Sequence, residues 1–157
     1  MRYLLLLLTA LFCTLPTRAQ DVVRAHLAFS PDGSLVATST GTGTLLIWNA
    51  DDWSLLRRHI GDGDRLFGFA FTPDSRYVAF GSNRGQLAVL DIATGTLVFD
   101  VRDRSESVNV ARFGPDGTTP DGVLFAAGEG RTLTSYAWRS GTPGRTYDLG
   151  RDTMPNG

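Results

Sequence analysis

The stretch "FSPDGSLVATS" (residues 29–39) reads as an apolar segment, a tight turn and a second apolar segment. It returns as "FTPDSRYVAFGS" from Phe71 and as "FGPDG" from Phe113. The Pro-Asp pairs stand at 31–32, 73–74 and 115–116, so the interval is 42 residues both times. Pro presets φ for one turn position and Asp bonds its own backbone two residues on, so each copy marks a chain reversal. A reversal repeated at one fixed interval is the period of an architecture.

Between the turns the chain breaks into four short segments per period. Ahead of the turn stand "VVRAHLAFSP", "RLFGFAFTP" and "SVNVARFGP"; after it come "SLVATST", "RYVAFGS" and "VLFAAGE". A Gly-rich break leads to "TLLIWN", "QLAVLD" and "TLTSYAW", and a further turn to "SLLRRHI", "TLVFDVR" and "RTYDLG". Val, Leu, Phe, Tyr and Thr fill the segments, while Asp, Asn, Gly and Pro collect between them, which is the pattern of strands and turns. No apolar period of 3.6 residues persists with caps after residue 20, so helices are expected to be scarce. Four antiparallel strands every 42 residues is the size of one propeller blade.

"AFSPDG", "AFTPDS" and "RFGPDG" at the first turn, with "LLIWN", "AVLD" and "SYAWR" closing the third strand, resemble the WD-repeat (WD40) β-propellers. The resemblance runs from residue 21 to about 149. It implies an all-β fold of three four-stranded antiparallel WD40-type blades, about residues 21–60, 64–102 and 107–149, forming a partial or oligomer-completed ring. The family's Gly-His pair is replaced by "GDGD" (61–64) and "RDRSES" (102–107), and its tight-turn Asp by "TGTG", "NRG" and "EGR". The family Trp stands at Trp48 and Trp138 but is Leu90 in the second repeat. The network of His, Asp, Ser and Trp that braces well-formed blades therefore cannot be assembled, and apolar packing must hold the blades. In that register Phe29, Phe71 and Phe113 share one core position, and Trp48 is expected between blades. The third repeat carries an insertion, "TTPDG" (118–122).

The first residues follow another grammar. "MRY" supplies a positive start, "LLLLLTALFCTL" (4–15) an apolar run of twelve, and "PTRAQ" a small-residue cleavage site. This is a secretory signal over residues 1–19, cut between Ala19 and Gln20. A helix of that run spans about 18 Å, short of the roughly 30 Å hydrocarbon core, so no stable membrane span is expected. The expected destination is export, to the periplasm or the medium. The single cysteine, Cys13, lies within the signal, so the mature chain has no disulfide, thiol nucleophile or thiolate metal site. Residues 20–150 then hold the blades and 151–157 a polar tail.

The formal net charge is −1, which gives no footing for nucleic acid or an anionic membrane. All fifteen basic residues are Arg, so Schiff-base and phosphate-loop lysines are excluded. His26 and His59 fall in register with Gly68, Val110 and Val101, which marks them as packed or edge strand positions, with no third ligand spaced to join them. "GDGD" lacks the alternating acidic ladder of a calcium loop, and "TGTGT" (40–44) lies between strands rather than before a helix, as a phosphate cradle would. No nucleophile elbow occurs. No catalytic residue, metal or cofactor is expected.

The resemblance implies a protein or peptide partner bound at one rim, built from the connections between blades and the turns between second and third strands. Carried over, that rim holds Asp62, Asp64, Arg84, Arg104, Glu106 and Arg131, with both signs interspersed. The same charges serve solubility equally well. The function expected is that of a non-enzymatic, exported interaction scaffold. The other reading is a propeller fragment of a larger secreted or periplasmic enzyme or sensor. Three blades are too few to close a ring alone, so the outer faces of the first and third are expected to be open, and a homodimer would complete the ring.

Overall fold

The first two Pro-Asp turns are closed by equivalent side chains. In the first, Asp32 Oδ1 accepts from the Ser30 hydroxyl (2.6 Å) and the Ser34 backbone N–H (3.1 Å). In the second, Asp74 Oδ1 accepts from the Thr72 hydroxyl (2.5 Å) and the Arg76 N–H (3.1 Å). The hydroxyl oxygen in turn accepts from the N–H five residues on, Leu35 at 2.9 Å and Tyr77 at 3.0 Å. The third copy has Gly114 where the others have Ser30 and Thr72, so no hydroxyl is available there. These local bonds fix the first hairpin of the first two units.

The computed structural model describes residues 26–102, 107–114, 122–128 and 132–149. Among them the regular structure is strand, with β1 (Leu27–Phe29), β2 (Leu35–Ser39), β3 (Thr44–Asn49) and β4 (Leu55–Ile60) in the first unit. The second holds β5 (Leu66–Phe71), β6 (Tyr77–Ser82), β7 (Gln86–Asp91) and β8 (Leu97–Arg102). The third holds β9 (Val108–Phe113), β10 (Val123–Gly128), β11 (Thr132–Ala137) and β12 (Thr142–Asp148). Each unit is one four-stranded sheet whose neighbours in sequence are neighbours in space, and every pairing is antiparallel. These are three propeller blades, and the sequence register is met. The insertion of the third repeat, apart from Gly122, lies outside the described residues.

The core sits between blades. Ala37, Leu45 and Ile47 of blade one share a buried cluster with Phe69, Phe71, Val78, Phe80 and Leu90 of blade two. The opposite face of blade two, Tyr77, Ala79, Leu87, Val89 and Phe99, shares a second cluster with Ala111, Leu124, Ala126 and Trp138 of blade three. Strand alternation sends successive residues of β6 to opposite faces, and both faces are covered, so all six of its residues are buried. The edge strands contrast with this: β12 is exposed throughout and β4 almost so. Near the inner strands β5 and β9 crowd together, and a Cβ on Gly68 would stand 2.7 Å from the Asn109 carbonyl oxygen. Gly68 also has φ +61, at the register break of β5.

Two core expectations need correction. Phe29 is 58% exposed, although its repeat partner Phe71 is 8% exposed. Trp48 is only half-buried and lies on the face of blade one that points away from blade two. In blade one these positions face away from blade two, on a side where no other described blade packs. Trp48 keeps one link of the family network, donating from Nε1 to Thr38 Oγ1 at 2.9 Å. Phe71→Ala should lower stability by about 3–5 kcal/mol, read from denaturant or thermal unfolding. An unchanged midpoint would contradict the placement of Phe71 between blades.

Candidate functional site

Antiparallel blades have two rims. One carries the Pro-Asp turns and the turns from third to fourth strand; the other carries the turns from second to third strand and the connections between blades. On the second rim, Thr40 Oγ1 accepts from the Thr44 N–H (3.2 Å), and the Ser82 Oγ likewise from Gln86 (3.1 Å). The connection between blades one and two is tied to these turns. Gly61 N–H donates to the Gly43 carbonyl (3.1 Å), and Asn83 N–H to the Arg65 carbonyl (3.0 Å).

Three of the residues expected on this rim come together. Arg84 Nε meets Asp64 Oδ1 at 3.0 Å, joining the β6–β7 turn to the connection ahead of β5. Asp62 pairs with Arg102 at the end of β8, and Arg102 also reaches Asp100 (3.4 Å), whose other oxygen accepts from Gln86 Nε2 (2.8 Å). The Asp62 hydrogen bond and burial act in opposite directions on Arg102, and its pKa is raised on balance. Arg104, Glu106 and Arg131 lie outside the described residues. The described rim is thus a shelf of matched ion pairs, with the Arg84 side chain 72% exposed and the Asp64 side chain 13%. Sequence reading missed Arg102 and Asp100, whose place at the end of β8 follows only from the sheet pairing.

Both histidines pack. The His26 ring meets Phe67 edge-on at 5.1 Å, and its Nε2 is buried without a hydrogen-bond partner among the described residues. His59 lies against Phe80 at 5.8 Å, where burial lowers its pKa against the pull of Asp100 and Asp62. Among the described residues no three His, Cys, Asp or Glu side chains are grouped to hold a metal ion. Among the described residues there is no helix long and apolar enough to cross a membrane.

The first rim holds a residue that sequence reading passed over. Trp53, in the turn between β3 and β4, has φ 58 and is 62% exposed. The equivalent positions one and two periods on are Gly95 (φ +75) and Gly141 (φ +72), which take this left-handed backbone without steric cost. Comparing the three turns in register was enough to find it. On the same rim Asp91 is buried; burial opposes its charge, but N–H donors from Ala93 and Thr94 and the Arg76 guanidinium outweigh that and lower its pKa. Arg139 stacks on Trp138 (4.4 Å) and Tyr77 (5.3 Å), closing this rim between blades two and three.

Blades in a shared register, with function left to rims and faces, define a β-propeller segment. The family model for the WD domain, G-beta repeat, matches residues 14–49. Relatives include the meiotic recombination protein rec14 of Schizosaccharomyces pombe, 29% identical over 115 residues, covering 71% of this chain and 36% of that protein. Autophagy-related protein 18e of Arabidopsis thaliana is 32% identical over 96 residues, covering 59% of this chain and 26% of that protein. Among solved structures, U3-55K superposes with a TM-score of 0.71 at 13% identity, over 80% of this chain and 39% of that one. The RRP9 WD40 repeats give 0.70 at 13% identity, over 80% and 38%. The chain is thus similar to WD-repeat β-propellers in sequence and in fold, and it spans well under half the length of these relatives.

Because left-handed backbone costs a side-chain-bearing residue roughly 1–2 kcal/mol and glycine's own entropy offsets part of that, Trp53→Gly should stabilise the fold by up to about 1 kcal/mol. Chemical denaturation of the two proteins checks it. A loss of stability would mean that the indole contributes packing that outweighs the strain.

Proposed function

We propose that this chain is an exported, non-enzymatic WD-repeat scaffold that holds protein or peptide partners on the rim carrying Asp62, Asp64 and Arg84. The likeness to WD-repeat proteins supports an interaction role, and one observation carries the choice of rim. The β6–β7 turn and the connection between blades one and two are joined there into one shelf by the Arg84–Asp64 pair and the Asn83–Arg65 backbone bond. Such a shelf is preorganised, so a partner spends little on ordering it. Arg84 is the anchor: its guanidinium is largely open to solvent, and Arg is enriched among binding hot spots. Arg131, at the equivalent place in the sequence of the third repeat, is the second anchor by register; it lies outside the described residues, as do Arg104 and Glu106.

The export half of the reading rests on the positive start, apolar run and small-residue site of residues 1–20. Mass spectrometry of the exported fraction is expected to find an N-terminus at Gln20. Intact Met1 in a membrane pellet would count against export.

A second reading, a propeller segment of a larger secreted or periplasmic enzyme or sensor, is favoured by one observation. The chain covers 36% of the rec14 relative and 39% of the U3-55K structure.

Cross-linking and affinity capture from the exported fraction supplies a partner for the test. Binding should weaken with salt, as rim contacts between charges do, and Arg84→Ala should cost about 1–2 kcal/mol in affinity. Full affinity in Arg84→Ala, with loss of binding on changes at the Pro-Asp turns, would assign the partner to the opposite rim.

A further inference from the structure

Blade one leaves one face uncovered. Its residues at the Pro-Asp end form a row across the sheet, Phe29, Val36, Trp48 and Leu55, each paired with the next. The same row in blade two is Phe71, Val78, Leu90 and Leu97, and there it is packed against blade one. No other described blade packs on this face of blade one, where Leu27 is 60% exposed, Phe29 58% and Leu55 47%, while Val36 within the row is buried and Trp48 half-buried. No other described blade covers the complementary face of blade three. Val123, Phe125 and Leu133 stand where blade two has Tyr77, Ala79 and Leu87, which blade three buries. Val110 and Tyr147, on the same open face, are 44% and 45% exposed.

The two open faces depart from the repeat in opposite directions. On the face turned towards the following blade, blades one and two carry a fully buried alanine, Ala37 and Ala79, whereas blade three carries Phe125. On the face turned towards the preceding blade, blade two carries Phe80 and blade three Ala126, whereas blade one carries Thr38. Between blades one and two, small Ala37 shares the core with large Phe80. Between blades two and three, Ala79 and Ala126 share a core that Phe99 and Trp138 fill. The open pair brings a large Phe125 to a small Thr38, the first arrangement with its sides exchanged. Interiors are close-packed, so an added ring on one face needs space on the other.

We propose that blade three of one copy of this chain packs on blade one of a second copy, in the register of the two interblade contacts already present. A twofold axis then repeats the contact and closes a six-bladed ring, within the four to eight blades that propellers use. The occupant is a second copy because the exchange of large and small residues matches this chain's own two faces to each other. The inference rests on the fold and not on the rim reading above.

Light scattering coupled to size exclusion, on the mature chain at micromolar concentration, is expected to give twice the chain mass. Phe125→Ala leaves a void and Thr38→Phe overfills the same space, so each alone should weaken dimerisation by about tenfold or more. Together they rebuild the arrangement of an alanine against a phenylalanine, and the double variant should return to within a few-fold of the parent. Phe29→Glu, at a position already exposed in the single chain, is expected to leave a folded monomer by circular dichroism. A monomeric parent chain, an open series of higher oligomers, additive losses in the double variant, or a dimer untouched by Phe29→Glu would each overturn the proposal. A change in rim affinity alone would not bear on it.

Discussion

The structure depends on apolar faces of one sheet meeting apolar faces of the next. Blade two shows what this achieves: Val78, Ala79, Phe80, Ala88, Val89 and Leu90 are all fully buried, because successive residues of β6 and β7 are covered from opposite sides. Few polar side chains brace the joints. Arg57 crosses from β4 to the carbonyls of Ile92 and Ala93, at 2.8 and 2.6 Å, and the rim ion pairs join the connection to the turns and strands of blade two. Exposed pairs of that kind contribute roughly 0–1 kcal/mol each, far less than the burial of one aromatic ring.

Much of this was legible in the sequence because the turn chemistry repeats. Ser30 and Asp32, or Thr72 and Asp74, close a hairpin with local bonds, so the 42-residue interval translates directly into the strand boundaries of blades one and two, while the insertion of the third repeat moves β10 and β11 further along the chain. What the interval does not carry is whether a neighbour exists. Phe29 and Phe71 hold the same register position, yet one is exposed and the other buried, because burial depends on the preceding blade. Trp48 follows the same logic. Trp53 was within reach of sequence reading, since Gly95 and Gly141 stand at its repeat positions and glycine there signals left-handed backbone.

The candidate rim was legible in part. The register places Asp62, Asp64 and Arg84 on one side of the blades, and these three do gather there. Their pairing with one another and with Arg102 and Asp100 depends on side-chain reach across sheets, which spacing along the chain does not encode. Among the described residues, Asp62, Asp64 and Arg84 of this rim are matched by charges within the chain, and the paired Arg84 side chain stays largely open to solvent. Specificity at such a surface comes from geometry more than from net charge.

The central claim is that burial between blades, greatest at the middle strands of blade two, holds the fold. Native-state hydrogen exchange resolved by strand tests this most directly. Amides of β6 and β7 should exchange slowest and only through global unfolding, while those of β4 and β12, on exposed outer strands, should exchange through local opening. Exchange in β6 and β7 as fast as in β4 and β12 would contradict the account.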